Sequence, residues 1–264
     1  MALILITGAS DGLGRALAED LAATGQHRLL LHGRDARRLA EVAEATGGES
    51  FQADFSSLAD VRRLAEEVAA AHDRLDVLVN NAGIGFHVDG VERQASADGH
   101  ELRLAVNYLA PVLLTRELLP LLRQAAPSRV VNVASIGQQP IDFDDPQLER
   151  EYTDIAAYCR SKLALISHTI DLAEELDGSG VTVNSVHPAT YMPTTMSARS
   201  GMEVVDSLEK GVAATWRLVD APELAGVTGR YFDGEAEARA SEEAYDPGYR
   251  RRLGELTQKL LVGF

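Results

Sequence analysis

The chain has a single cysteine, Cys159, which leaves it no intramolecular disulfide and no cysteine-based metal centre. That scarcity suits a reducing compartment, and the cytoplasm is the expected location. Basic residues are short as well, with 25 Lys and Arg against 40 Asp and Glu and a formal charge of −15. Such a surface repels phosphate backbones and anionic headgroups, so neither nucleic acid nor a membrane is an expected partner. No apolar run approaches the ~18–20 residues that span a bilayer. The opening Met1–Ile6 stretch lacks a basic segment and stops at Thr7-Gly8, which reads as a strand and not as a signal peptide. The histidines, at 27, 32, 72, 87, 100, 168 and 187, contain no i, i+4 pair and no H-E-x-x-H, so no metal is expected. Asp142, Asp144 and Asp145 do not follow the order of a calcium loop and read as a solvated acidic lid. Repeats, low-complexity tracts and Pro/Gly/Ser linkers are missing too, so residues 1–264 are expected to form one domain.

What is present alternates. Apolar runs at Ala2–Ile6, Arg28–His32, Val77–Val79, Arg129–Val133 and Val181–Val186 read as strands buried on both faces. Between them lie helical stretches: 12–23 places Leu13, Leu17 and Leu21 four apart, and 35–45 carries a polar Arg/Glu face. This rhythm predicts a doubly wound α/β fold, a mostly parallel sheet of seven strands with helices on both faces. Two segments break it, 137–155 and 189–211, and both are expected to be long loops or lids on the substrate side.

The first strand runs into Thr7-Gly8-Ala9-Ser10-Asp11-Gly12-Leu13-Gly14 and then a helix. Glycines at 8, 12 and 14 allow a tight turn, close approach of backbone to a pyrophosphate, and a helix N-terminus aimed at the anion, as in a Rossmann-type dinucleotide cradle. The same residues fit a G-x-S-x-G nucleophile elbow with Ser10 as nucleophile. Only one strand precedes Ser10, however, so no earlier strand supplies the oxyanion loop that a hydrolase needs. After the second strand comes Arg34, whose guanidinium can hold a 2′-phosphate where a carboxylate would accept from a 2′-hydroxyl. NADP(H) is therefore favoured, with NAD(H) the alternative, and Asp35 beside Arg34 weighs against the preference.

Tyr158-Cys159-Arg160-Ser161-Lys162 sets a phenol and an ammonium on one helix face. A free tyrosine titrates near ~10, and a lysine cation beside it is expected to lower that value toward the working range of a general acid/base.

Together, the glycine turn, Asn80-Asn81-Ala82-Gly83, Asn107, Ser135 and Tyr158-x-x-x-Lys162 resemble the short-chain dehydrogenase/reductase family from Ile4 to about Met196. The resemblance implies that Tyr158 donates a proton to a carbonyl and that Lys162 holds the nicotinamide ribose. It further implies that Ser135 hydrogen-bonds the substrate oxygen and that Asn107 supports a water relay. It places Gly8, Ser10, Asp11, Gly12, Leu13 and Gly14 around the pyrophosphate, Arg34, Asp54, Phe55, Asn80, Ala82 and Gly83 toward the adenosine half, and Tyr191 and Thr194 in the loop over the nicotinamide. The implied partner is a small-molecule carbonyl or alcohol, and a homo-oligomer is compatible with the reading. Within the family, Ile141-Asp142-Phe143 ahead of Tyr152 and the Ala157–Lys162 run are similar to the retinol dehydrogenase-like branch. Members of that branch often carry an N-terminal membrane anchor, whereas this sequence opens on its first strand, so the resemblance is not extended to a retinoid substrate.

One departure stands out. The family usually shows Pro-Gly after the sixth strand, and here the sequence reads Pro188-Ala189, whose Cβ restricts the approach of backbone to the nicotinamide amide. His87, the two loops and Trp216 are expected to line the substrate site. A non-catalytic dinucleotide sensor or scaffold of the same fold is the alternative function. Epimerisation of sugar nucleotides is disfavoured by the ~70 residues left after the sixth strand, too few for the larger substrate domain such enzymes carry.

Overall fold

The computed structural model describes residues 1–87 and 90–264. In chain order it runs β1 (Ala2–Ile6), α1 (Gly12–Ala23), β2 (His27–Gly33), α2 (Ala36–Thr46), β3 (Glu49–Gln52), α3 (Leu58–Ala71) and β4 (Val77–Asn80). Then follow α4 (Leu102–Leu104), a π-helical turn (Ala105–Leu109), α5 (Ala110–Ala125), β5 (Ser128–Val133), α6 (Asp154–Glu175) and β6 (Val181–His187). The chain ends with α7 (Thr195–Ser200), α8 (Leu208–Asp220), β7 (Tyr231–Asp233), β8 (Ala236–Ala238) and α9 (Pro247–Leu260). The strands form one sheet in the order β3-β2-β1-β4-β5-β6-β7-β8, all parallel except the last pair.

Alternation along β1 shows why the strands are apolar throughout. Ile4 and Ile6 face one side and pack with Leu13, Leu17, Leu39 and Val212 under α1, α2 and α8. Leu3 and Leu5 face the other and pack with Val61, Leu64, Leu114 and Leu165 under α3, α5 and α6. A strand covered on both faces has no position for a polar residue, so its side chains read as one apolar run. Eight strands form where seven are expected: β7 and β8 make an antiparallel hairpin across Gly234-Glu235, with Gly234 at φ 59°.

Helix starts follow local chemistry. Asp35, Ser57 and Thr153 cap α2, α3 and α6 by accepting from Arg38 N, Asp60 N and Ala156 N, satisfying donors that a helix N-terminus leaves free. No span-length apolar run is expected from the sequence, yet the continuous helical run Leu102–Ala125, interrupted by Arg103, Arg116, Glu117 and Arg123, has the length and apolar composition of one. Within the fold, 78% of its span-length window is buried against the sheet, as in a core helix.

Order in the sheet reverses between β1 and β4, and there the loops after the two strands diverge into a crevice at their carboxyl ends. Ligands of open α/β sheets bind in such crevices.

Candidate active site

Three loops meet at the crevice. In the glycine turn, Gly8 and Gly12 adopt φ of 68° and 52°, the left-handed region that glycine enters without cost. Thr7 Oγ1 accepts from Asn81 N and Ala82 N, both at 2.9 Å, and Asn81 Nδ2 donates to Thr7 O at 2.8 Å. The turn and the 80–83 segment are so closely meshed that a Cβ on Gly8 would lie 2.9 Å from Ala82 Cα. Asp11 caps α1 by accepting from Gly12 N, and its second oxygen accepts from Thr195 Oγ1 at 2.6 Å and pairs with Arg38 at 3.4 Å. Thr194 lies against Gly12, its Cγ2 3.2 Å from where a Cβ would stand. The 189–211 segment thus folds onto the turn. It is built as α7 plus a strap, in which Asp206 accepts from Thr190 N and Lys210 Nζ, and Tyr191 sits at φ 42°.

On the adenosine side, Arg34 is exposed, and its guanidinium has no ion-pair or hydrogen-bond partner among the described residues. Ser10 packs against Gly33, and Asp54 Oδ1 turns the chain after β3 by accepting from Ser56 N. Three expected contacts prove internal. Leu13 is buried in the core beneath α1, and the Phe55 ring is spent stacking on His32 at 4.2 Å. Asn80 points its amide into the sheet, donating to Thr115 Oγ1 and Asn132 Oδ1, because the last residue of a fully covered strand has no free face. Its neighbour Asn81 is the asparagine that faces the glycine turn.

The catalytic candidates converge. Ser135 follows β5, its Oγ accepting from Gly137 N, and it lies beside the Tyr158 ring, both bordering Gly137. Lys162, 4% exposed, donates from Nζ to Val133 O at 2.9 Å and lies 5.8 Å from the centre of the Tyr158 ring. Asn107 sits in the π-helical turn, a bulge that rotates its amide onto Ile84, accepting from Ile84 N at 2.8 Å and donating to Ile84 O at 3.0 Å. It also donates to Ser161 Oγ, which in turn donates to Tyr158 O, so Asn107 reaches the catalytic helix through a residue the sequence reading did not single out. Gly83 completes the group; a Cβ there would lie 3.2 Å from Asn107 Oδ1 and 3.6 Å from Lys162 Nζ.

The electrostatics differ from the expectation. Burial pushes the Tyr158 phenol up to about 12, outweighing the lowering influence of Ser135 beside it. Burial also brings the Lys162 ammonium down to about 8. Lys162 was expected to lower the phenol, but its charge is directed at Val133 O behind the ring, and desolvation prevails.

Around Tyr158, Phe86 packs edge-on at 5.5 Å between ring centres, and His87 donates its backbone N–H to Asp154. The 137–153 stretch is less a lid than an anchored loop: Ile141 is buried, Ile141 N donates to Tyr249 OH, and Phe143 packs edge-on against Tyr249. Trp216 does not reach the site. It packs on α8 against the opposite face of the sheet and borders a groove with Asp20 and Glu223. Among the described residues no three His, Cys, Asp or Glu side chains are grouped to hold a metal ion.

A doubly wound sheet whose switch-point crevice holds a glycine turn, a Ser/Tyr/Lys group and a supporting asparagine defines a dinucleotide-linked oxidoreductase. The short chain dehydrogenase family model matches residues 2–204, and the chain belongs to that family, acting on CH–OH groups with NAD(P). Its sequence is 35% identical over 275 residues to retinol dehydrogenase 13 of Homo sapiens, covering 95% of this chain and 81% of that protein. The Pseudomonas aeruginosa RhlG/NADP active-site complex superposes with a TM-score of 0.70 at 29% identity, covering 88% of this chain and 94% of the other. The 3-ketoacyl-(acyl-carrier-protein) reductase from Brucella melitensis complexed with NADH gives 0.71 at 26% identity, covering 88% and 96%.

Proposed function

We propose that the protein is an NADP(H)-dependent reductase of ketones or aldehydes, working reversibly on the corresponding alcohols, with Tyr158 as the general acid/base. One observation carries this reading: the half-buried Tyr158 ring lies beside Ser135, both bordering Gly137, and is backed by the Lys162 ammonium 5.8 Å from its centre. The residues fit a dinucleotide. The glycines of the turn present backbone and no side chain of their own beside the α1 N-terminus, where Asp11 holds the Gly12 N–H, and the Lys162 ammonium has one hydrogen-bond acceptor among the described residues, leaving N–H groups for ribose hydroxyls. When bound, the nicotinamide supplies or accepts the hydride. Tyr158 gives its proton to the oxygen that gains charge, Ser135 Oγ hydrogen-bonds the same oxygen, and Lys162 stabilises the phenolate left behind. Asn107 holds the Ile84 backbone and, through Ser161, the turn of α6 that carries Tyr158.

The cofactor preference rests on Arg34, whose free guanidinium offers a planar fork to a 2′-phosphate. A charge-assisted bond of that kind is worth ~1.5–3 kcal/mol, or about 10–150-fold in affinity. Arg38 stands nearby but is engaged with Asp11. The deciding experiment titrates wild type and Arg34→Ala with NADPH and NADH and screens aldehydes, ketones and alcohols by nicotinamide absorbance. Tighter NADPH binding that Arg34→Ala removes supports the assignment, and equal or tighter NADH binding by wild type overturns it. The one cysteine is buried and unpaired, which favours a reducing, cytoplasmic setting.

A further inference from the structure

Arg103 is one of the most deeply buried charges in the molecule, 2% exposed, and stands in an otherwise apolar stretch of helix. Its Nε donates to Gly85 O at 2.8 Å and one terminal nitrogen donates to Tyr152 OH at 2.8 Å. The other reaches Asp154 Oδ2 at 3.4 Å, and Glu101 lies 3.7 Å away. Both carboxylates are themselves buried, Glu101 at 1% and Asp154 at 2% exposure. A lone guanidinium between two carboxylates, with a carbonyl and a phenol completing its donors, is a costly arrangement that a helix does not need for folding, since an apolar residue would pack there.

What it joins explains the cost. Asp154 opens α6, four residues ahead of Tyr158, and accepts from His87 N at 2.7 Å. Gly85 belongs to the segment leaving β4. Residues on either side of Phe86 in that segment are therefore tied down: Ile84 by Asn107, Gly85 by Arg103 and His87 by Asp154. The residue left between the last two ties, Phe86, lies edge-on against the Tyr158 ring. We propose that Arg103 is a positioning residue for the reaction: by fastening Gly85 to the start of α6 it holds Phe86 against Tyr158 and keeps water from the proton donor. The proposal rests on Tyr158 being that donor.

The other groups around the phenol are Ser135, Cys159, Tyr191, Tyr231 and Lys162, and none of them contacts Arg103. A loosened Phe86 would admit water and ease ionisation of the phenol without altering those neighbours.

The test compares wild type, Arg103→Lys, Phe86→Leu and the double variant, with Tyr152→Phe as a milder cut that leaves every charge in place. Tyrosine labelled with 13C at Cζ reports ionisation by NMR, with Tyr158 assigned from Tyr158→Phe, so this readout needs no substrate. Steady-state kinetics use whichever member of an aliphatic and aromatic aldehyde panel wild type reduces fastest. In wild type the Tyr158 signal should stay protonated to about pH 11. In Arg103→Lys and Phe86→Leu its titration should begin about one pH unit lower, with kcat down about tenfold and the dissociation constant for reduced cofactor within twofold of wild type. Tyr152→Phe should show the same shift in smaller measure. The double variant should match the worse single one, because both changes act through one contact. An unshifted Tyr158 titration in folded Arg103→Lys and Tyr152→Phe, or effects that simply multiply in the double variant, overturns the proposal. Full activity of Tyr158→Phe overturns the donor assignment instead, and is read independently of the cycle.

Discussion

His32 ties the adenosine-side loops together and makes the fold sensitive to acid. Its ring is 3% exposed at the end of β2 and lies flat on Phe55. Ala53 O can only accept, so the nitrogen facing it at 3.1 Å, Nε2, carries the proton, and Nδ1 is then free to accept from Gly8 N–H at 3.3 Å. Protonating Nδ1 would set two N–H groups against each other inside the glycine turn. Burial accordingly lowers the imidazole from 6.5 to about 4. Because the folded value lies below the unfolded one, the stability is complete above pH 6.5 and is lost as the pH falls, until the folded ring also titrates near 4. Each such histidine removes about 1.4 kcal/mol per pH unit, so His32 alone is worth about 2 kcal/mol between pH 6.5 and 5. His168, brought down to about 3 by burial between α5 and α9, acts in the same window. Asp35 and Asp60 have their pKa values lowered from 3.8, so they add to the loss only at lower pH. Urea unfolding at several pH values from 7.5 to 5 should therefore show wild type losing stability as the pH falls below 6.5, and His32→Asn losing about 2 kcal/mol less over the same range. Asparagine can still accept from Gly8 N–H but takes up no proton. Parallel stability curves for the two proteins would refute the tautomer and the role assigned to the ring.

Three further outcomes follow from the site. Tyr158→Phe should retain cofactor binding, measured by nicotinamide fluorescence, and lose on the order of 10²–10⁴ in turnover. In wild type, with the phenol at about 12, carbonyl reduction should hold steady across neutral pH while alcohol oxidation, which needs the phenolate, rises with pH; oxidation that is flat from pH 7 to 10 would contradict the raised value. Gly14→Ala would drive a Cβ onto the Gly8 carbonyl and the Asn81 amide, and such overpacking costs about 1–3 kcal/mol. Its melting temperature and its affinity for reduced cofactor should fall together, and a variant that loses neither would show the turn to be slacker than it is drawn.

The parts of the fold that can be read from the sequence are those where one physical demand governs a whole segment. β1, β2, β5 and β6 are covered on both faces and read as apolar runs, and the leucines of α1 recur at helical spacing because one stripe faces the core. β3, Glu49–Gln52, places only Phe51 in the core, and β7 and β8 have three residues each, so neither length nor pattern marks them. The motif proposed as catalytic is legible because glycine, serine, tyrosine and lysine recur at fixed spacing. Trp216 misled for the opposite reason: a single aromatic on a helix has no signature that distinguishes a site from a core face.

What the sequence hid is the set of buried polar residues that support the motif. Arg103, Asp154 and Glu101 are scattered over fifty positions, and each alone looks like a charge on a helix surface or a helix start. His32 interrupts an apolar strand and looks like an edge residue until the turn after β1 folds beside it. Such groups are favourable only when their partners arrive from elements far apart in the chain, and a hydrogen bond across 24 or 51 residues leaves no local pattern. Their placement follows from the needs of the site. As the proposed proton donor, Tyr158 would have to be held dry and fixed, yet it sits at the mouth of a crevice, where packing alone gives less constraint than in the core. Directional bonds from Asn107, Arg103 and Asp154 would supply that constraint, so the residues proposed to support the donor are ones that a reading for apolar periodicity treats as exceptions.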